Sequence, residues 1–207
     1  MKIKDFIEHL KYGETSSIVL IMNLREGDIH EQEDAQRALI SYINLGLINL
    51  YSEFDLKTSA AVIPASGSRV LSYSHPAMIE VHQLTTLDGD PLREQTTHDT
   101  DDWDYRTVAL GSWILREELT EDVVLLYKSG PDPVMGLEDV LPIQHVFLEA
   151  LTMYVAARAY SSVGTSAKGP SNVFIERYNL EVMRLKQQGF ATQFTPVGKN
   201  IRHKGFL

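Results

Sequence analysis

Apolar residues recur along this chain with two different periods. Ile3, Phe6, Ile7 and Leu10 stand three and four apart, which is the spacing of one helix face, and Gly13 is placed to stop that helix. Residues 14–34 are polar at both ends of a short apolar centre, Ile18 to Met22, to which the pattern assigns no element. From about Glu33 to Phe54 runs a stronger stripe of Leu39, Ile43, Leu47 and Leu50, extended by Ala35 and Phe54. Its steps predict a long amphipathic helix. Between about Asp55 and Val134 the period shortens. Lys57 to Pro64, Arg69 to Tyr73, Met78 to Leu84, Arg106 to Leu115 and Val123 to Tyr127 read as short strands. Turns at Ser66-Gly67 and Asp88-Gly89-Asp90-Pro91 separate some of them.

Helical spacing returns after Pro142. Ile143, Val146, Phe147, Leu151, Tyr154, Val155 and Ala157 predict a helix over 143–163, punctuated by Gly164 and Gly169-Pro170. Ser171 or Asn172 is then expected to cap a second helix. That helix carries Phe174, Tyr178, Val182 and Leu185 on one face and ends at Gly189. The fold class is therefore α+β: an α-helical bundle with an inserted small antiparallel β-sandwich or barrel and an extended C-terminal tail. The expected divisions are N-terminal helices over 1–54, a strand insertion over 55–134, a C-terminal helix pair over 135–189 and an arm over 190–207. Helices on both sides of the insertion must pack together, because none can bury its apolar face alone.

The length, 207 residues, and a hydrophobic share of 43% are enough for a packed core. No apolar run approaches a membrane span, and the first residues show no signal-peptide core, so neither membrane nor secretory character is expected. The count of cysteines is zero, which excludes disulfides, zinc–thiolate sites and thiol nucleophiles within this sequence. A net charge of -9 argues against general nucleic-acid binding, which draws its affinity from phosphate neutralisation. The charge is uneven. Residues 190–207 hold Lys199, Arg202, His203 and Lys204 and no acid, while Asp99-Thr100-Asp101-Asp102-Trp103-Asp104 concentrates negative charge in the strand region.

Candidate chemistry is sparse. The histidines, His82, His98 and His145 among them, form no HExxH or HxH pair, and no GxSxG elbow, Walker loop or GxGxxG fingerprint occurs. Gly164 to Gly169 resembles a phosphate loop in composition but follows a helix where such a loop follows a strand. The Asp99–Asp104 cluster has the oxygen donors calcium favours, yet lacks EF-hand spacing, and a solvated acidic loop explains it. Trp103, Tyr105 and Trp113 with Arg106 and Arg116 could form an aromatic platform. Residues of these kinds also fill cores and intersubunit contacts. No catalytic residue, metal site or cofactor is assigned.

Four stretches, in their order, resemble the head-to-tail adaptor (head completion or connector) family of short-tailed bacteriophages. They are Lys11-Tyr12-Gly13-Glu14-Thr15-Ser16 followed by the helix from Ala38 to Phe54; the insertion with Gly89-Asp90-Pro91-Leu92-Arg93-Glu94 and Trp113-Ile114-Leu115; Val123 to Pro131; and Leu141-Pro142 leading into Leu148 to Gly164, then Phe174-Ile175-Glu176-Arg177-Tyr178. The likeness spans about residues 1–190 and rests on packing motifs. It implies a non-enzymatic ring of twelve copies in the virion neck, assembled in the host cytoplasm. Its expected partners are a portal protein, a tail nozzle or tube protein and further copies of itself, with DNA passing through the channel unread. Some relatives degrade cell walls, but no residue here matches that activity.

Within the arm, Phe190, Phe194, Ile201, Phe206 and Leu207 are apolar with no helical period. Beside the reading of a disordered end, this composition suits a segment that folds on a partner. Phe194, Phe206 and Leu207 are the expected anchors on the portal, and Lys199, Arg202 and Lys204 the groups that meet portal acids. Two alternatives stand beside the adaptor: a small hydrolase using non-local carboxylates, or another virion joining protein such as a tail terminator or stopper.

Overall fold

A computed structural model of the chain describes residues 1–12, 29–95, 103–162 and 168–190. It is mixed α+β, with four α-helices and two small antiparallel sheets among the described residues. The chain divides into two units. One takes Met1–Phe54 with Pro131–Ala191, and the other is built on Asp55–Gly130.

The helical unit contains α1 (Ile3–Leu10), α2 (Ile29–Glu53), a 3-10 turn (His145–Phe147), α3 (Leu148–Ser162) and α4 (Lys168–Gln187). Helix α1 buries Ile3, Phe6, Ile7 and Leu10. Its free N-terminal amides find carbonyls far along the chain: Ile3 N donates to Asp139 O at 2.9 Å and Lys4 N to Leu137 O at 2.9 Å. The orphan donors of a helix start are thereby satisfied without a side-chain cap from the chain just before it. Helix α2 starts four residues earlier than its apolar stripe suggests, and buries Leu39, Ile43, Leu47, Leu50 and the following Phe54.

Helix α3 packs against both α2 and α4. Gly46 of α2 sits at the first contact. A Cβ there would lie 2.6 Å from Leu151 Cδ1 and 3.1 Å from Tyr154 Cδ1, so the missing side chain sets how near the helices come. At the second contact Tyr160 stacks on Phe174 with centroids 5.3 Å apart. Pro170 does not separate the two helices. It lies in the first turn of α4, where a missing N–H costs nothing. Nor does Ser171 cap α4: its hydroxyl donates to Ala157 O at 3.0 Å, tying α4 to α3. Helix α4 ends at Gln187 and the chain turns off at Gly189, φ +85°, where Phe190 N donates to Leu185 O at 3.1 Å. Phe190, assigned to the arm by pattern, instead sets its ring edge-on to Phe147 at 5.8 Å.

Among its described residues the strand unit has six strands: β1 (Thr58–Ile63), β2 (Val70–Ser72), β3 (Met78–Thr86), β4 (Tyr105–Ala109), β5 (Ser112–Leu115) and β6 (Val123–Ser129). They form two three-stranded sheets ordered β1–β6–β3 and β2–β5–β4. Neither sheet closes, so the barrel, one of the two expected forms, does not form; the strands pair within two separate sets. The span expected as one strand over Arg106 to Leu115 is a hairpin. It folds at Gly111, whose φ is +75° and whose Cβ would lie 2.2 Å from Tyr73 O, so only glycine fits. Ile63, Leu71, Leu84, Tyr105, Trp113, Leu125 and Tyr127, drawn from both sheets, make one core.

Gly46→Val should cost about 1–3 kcal/mol through overpacking against Leu151 and Tyr154, read as a lower urea midpoint at unchanged slope. An unchanged midpoint would show that α2 and α3 are not held at this spacing.

Candidate functional site

A cleft of about 1050 Å³ opens on the helical unit. The turn before α3 contributes His145, α3 contributes Glu149 and Thr152, and α4 contributes Arg177, Glu181 and Arg184. The α4 residues stand at i, i+4 and i+7, one above another on a helix face. The buried Phe174, Tyr178, Val182 and Leu185 occupy the adjoining face. The same stripe that anchors α4 therefore aims its charged residues into the cleft.

Glu181 is the deepest charge there. Its side chain is 10% exposed, and Arg184 grips it with both arms of the guanidinium. Nε donates to Oε2 at 2.7 Å and Nη2 donates to Oε1. A carboxylate this buried needs such a fork to offset its lost hydration, and the fork holds the Arg184 guanidinium above its ordinary value. The hydroxyl of Thr152, which also lines the cleft, is buried without a hydrogen-bond partner among the described residues. Exposed Tyr12 and Leu180 add apolar rim.

Elsewhere on α4, the Tyr178 hydroxyl likewise has no hydrogen-bond partner among the described residues, and its ring meets Tyr154 edge-on at 5.3 Å. Tyr154 is well served: Asn49 Nδ2 and Arg158 Nη2 donate to its hydroxyl oxygen at 3.0 and 2.9 Å. Burial pushes the Tyr178 phenol up to about 12, with the nearby Glu53 charge adding to it. In the strand unit burial does the same to Tyr105, also to about 12.

The sequence candidates fall in several places. His145 lies in the turn that opens α3 and lines the cleft. His82 is on β3 and pairs with Asp55: Nε2 stands 3.1 Å from Oδ2, with side chains 9% and 10% exposed. That pair fixes the start of the strand unit to its own sheet. Trp113 is fully buried and Tyr105 nearly so, while Arg106 and Arg116 are exposed, so these residues form core and surface and not a shared platform. Asp104 accepts from Arg93 N at 2.8 Å, a use internal to the loop. His98, Asp99 to Asp102, Gly164 to Ala167 and the portal-binding set Phe194, Lys199, Arg202, Lys204, Phe206 and Leu207 lie outside the described residues. Among the described residues no three His, Asp or Glu side chains converge as metal ligands, and no helix is long and apolar enough to cross a membrane.

The sequence reading missed the Glu181–Arg184 pair, although its i, i+3 spacing on α4 was visible. It also missed Asp55–His82, whose partners are 27 residues apart, too far for a local signal. No protein-family model matches the chain, and no curated protein matches it.

The two buried phenols give a signed pH dependence. Their folded values lie above the ordinary 10.0, so each contributes stability that is whole below about pH 10 and is lost as pH rises toward 12. In an alkaline titration of phenolate absorbance, Tyr105 and Tyr178 should ionise last of the nine tyrosines, together with unfolding. Nine tyrosines ionising near pH 10 in a chain still folded by circular dichroism would contradict this.

Proposed function

We propose that this chain is a head-to-tail adaptor of a tailed-phage virion, a structural protein that closes into a ring between a portal and a tail nozzle or tube. On this reading the helical unit is a bundle and the strand unit a small sandwich inserted into it. Twelve copies follow from the family likeness, DNA passes through the ring unread, and the protein works in the virion neck after assembly in the host cytoplasm. It carries no catalytic step and needs no cofactor.

One observation supports this reading above the others. The helical unit is assembled from both ends of the chain, which leaves it at Phe54 and returns at Pro131, the same order of elements that carries the family likeness. Exposed apolar side chains add to it. Leu45 and Ile48 on α2, and Val173, Leu180 and Met183 on α4, are each 40% exposed or more. Such faces suit lateral contacts between copies, and a head-to-tail contact must close by rotation to give a ring and not a filament. The arm begins after Phe190, with Phe194, Phe206 and Leu207 as portal anchors and Lys199, Arg202 and Lys204 meeting portal acids.

The hydrolase reading draws on the cleft, which brings Glu149 and Glu181 to one cavity. Against it, both oxygens of Glu181 are already taken by Arg184, which leaves one carboxylate where two are needed.

Ordering an arm costs about 1–2 kcal/mol of backbone entropy per residue, so its anchors must be buried by a partner. Deleting residues 191–207 should leave Tm nearly unchanged and abolish co-sedimentation with portal rings. Full co-sedimentation of the truncated protein would remove the arm from the mechanism, and failure of the intact chain to sediment with any portal would remove the adaptor.

A further inference from the structure

The two sheets present four edge strands, and three of them are blunted. Strand β3 has register shifts at Met78/Glu80 and Val81/Gln83, and its far end is already bonded on the open side, where Leu92 N donates to Leu84 O at 2.9 Å and Thr86 N to Asp90 O at 2.9 Å. Strand β4 carries a shift at Thr107/Ala109 and the charge of Arg106, and Gln95 N donates to Tyr105 O at 2.7 Å. Strand β2 has 3 residues. Bulges, charges, short lengths and covering segments are the devices that keep sheet edges from pairing between molecules.

Strand β1 has none of them. Its register with β6 runs unbroken from Thr58↔Lys128 to Ile63↔Val123, and its sequence, Thr-Ser-Ala-Ala-Val-Ile, is uncharged. Ser129 N donates to Lys57 O at 2.8 Å. In an antiparallel ladder alternate residues share that direction, so Ser59, Ala61 and Ile63 bond toward β6. The backbone N–H and C=O of Thr58, Ala60 and Val62 therefore face outward. No hydrogen bond on that side occurs among the described residues, and the side chains of all three are exposed.

We propose that β1 is a self-pairing edge: it joins β1 of a second copy antiparallel about a twofold axis, with Ala60 opposite Ala60 of the partner subunit and Thr58 opposite Val62 of the partner subunit. In this register every outward-facing residue meets an outward-facing residue, and the inner faces of both sheets lie on the same side. The occupant follows from the edges themselves. A strand acceptor needs an open strand, and β1 is the open edge that a second copy offers among the described strands. The join places methyl against methyl at its centre and no charge in the ladder. It is short, so it gives a concentration-dependent dimer. A twofold contact closes on itself and cannot propagate around a head-to-tail ring; the inference concerns the free protein and does not depend on the adaptor reading.

Sedimentation equilibrium of the intact chain over a concentration series should show monomer and dimer, and Ala60→Lys, which sets like charges face to face, should lose the dimer with Tm unchanged. Because the chain has no cysteine, a short bifunctional thiol reagent gives a second readout independent of that variant. Ala60→Cys should cross-link to dimer at least tenfold faster than Val108→Cys, whose site on β4 is also exposed. A monomer at every soluble concentration, equal cross-linking at the two sites, or open-ended species larger than the dimer that Ala60→Lys also loses would each overturn the proposal.

Discussion

Helix α3 has almost no solvent face, and the helical unit is arranged around that fact. Ten of its 15 residues are buried, including Ala150, Ala156, Ala157 and Ala159 as well as Leu148, Leu151, Tyr154 and Tyr160. A helix apolar on most sides is stable only when neighbours cover it. Helix α2 covers one side through Gly46 and α4 another through Phe174, with the alanines permitting close approach. Because α2 precedes the strand unit and α4 follows it, this burial forces the two ends of the chain together and leaves Asp55–Gly130 to fold as a unit of its own.

The ends of the three helices are clasped by aromatic contact. Phe54, just past α2, lies 5.0 Å from Phe147 at the start of α3, and Phe147 meets Phe190, just past α4. The returning chain is fastened to α2 as well. Asn44 bonds Val134 in both directions at 2.9 Å, and the Tyr51 hydroxyl donates to Pro142 O. Residues 137–139 then accept the first amides of α1. The Lys2 and Lys4 ammoniums at 2.7 and 2.8 Å from Glu138 hold that carboxyl down to about 2, but all three are solvated, and such pairs add little. Backbone satisfaction and apolar burial decide the join, with the ion pairs as trimming.

Much of this was legible in the chain. The stripes over α1, α2 and α4 and the strand segments all reflect local periodicity, which needs no partner to be read. Three misreadings have one cause: the deciding contact was non-local. Pro170 reads as a break, yet a first-turn proline is harmless, and the bond from Ser171 to Ala157 draws α4 in. Phe190 reads as arm because its partner, Phe147, is far away in sequence. A barrel and a pair of open sheets share one strand pattern, since closure depends on which edges meet. The cleft on α3 and α4 was illegible for the same reason, although the spacing of Glu181 and Arg184 was in view.

The adaptor proposal ties these features to a use: a packed helical unit, an inserted strand unit, exposed apolar side chains on the helices and a basic arm on an acidic body. Its most direct test is electron microscopy of the intact chain mixed with a portal ring. The account predicts an added layer of density beneath the portal with one copy of the chain per portal subunit and the same rotational symmetry. Bare portal rings beside free protein at saturating concentration would contradict it.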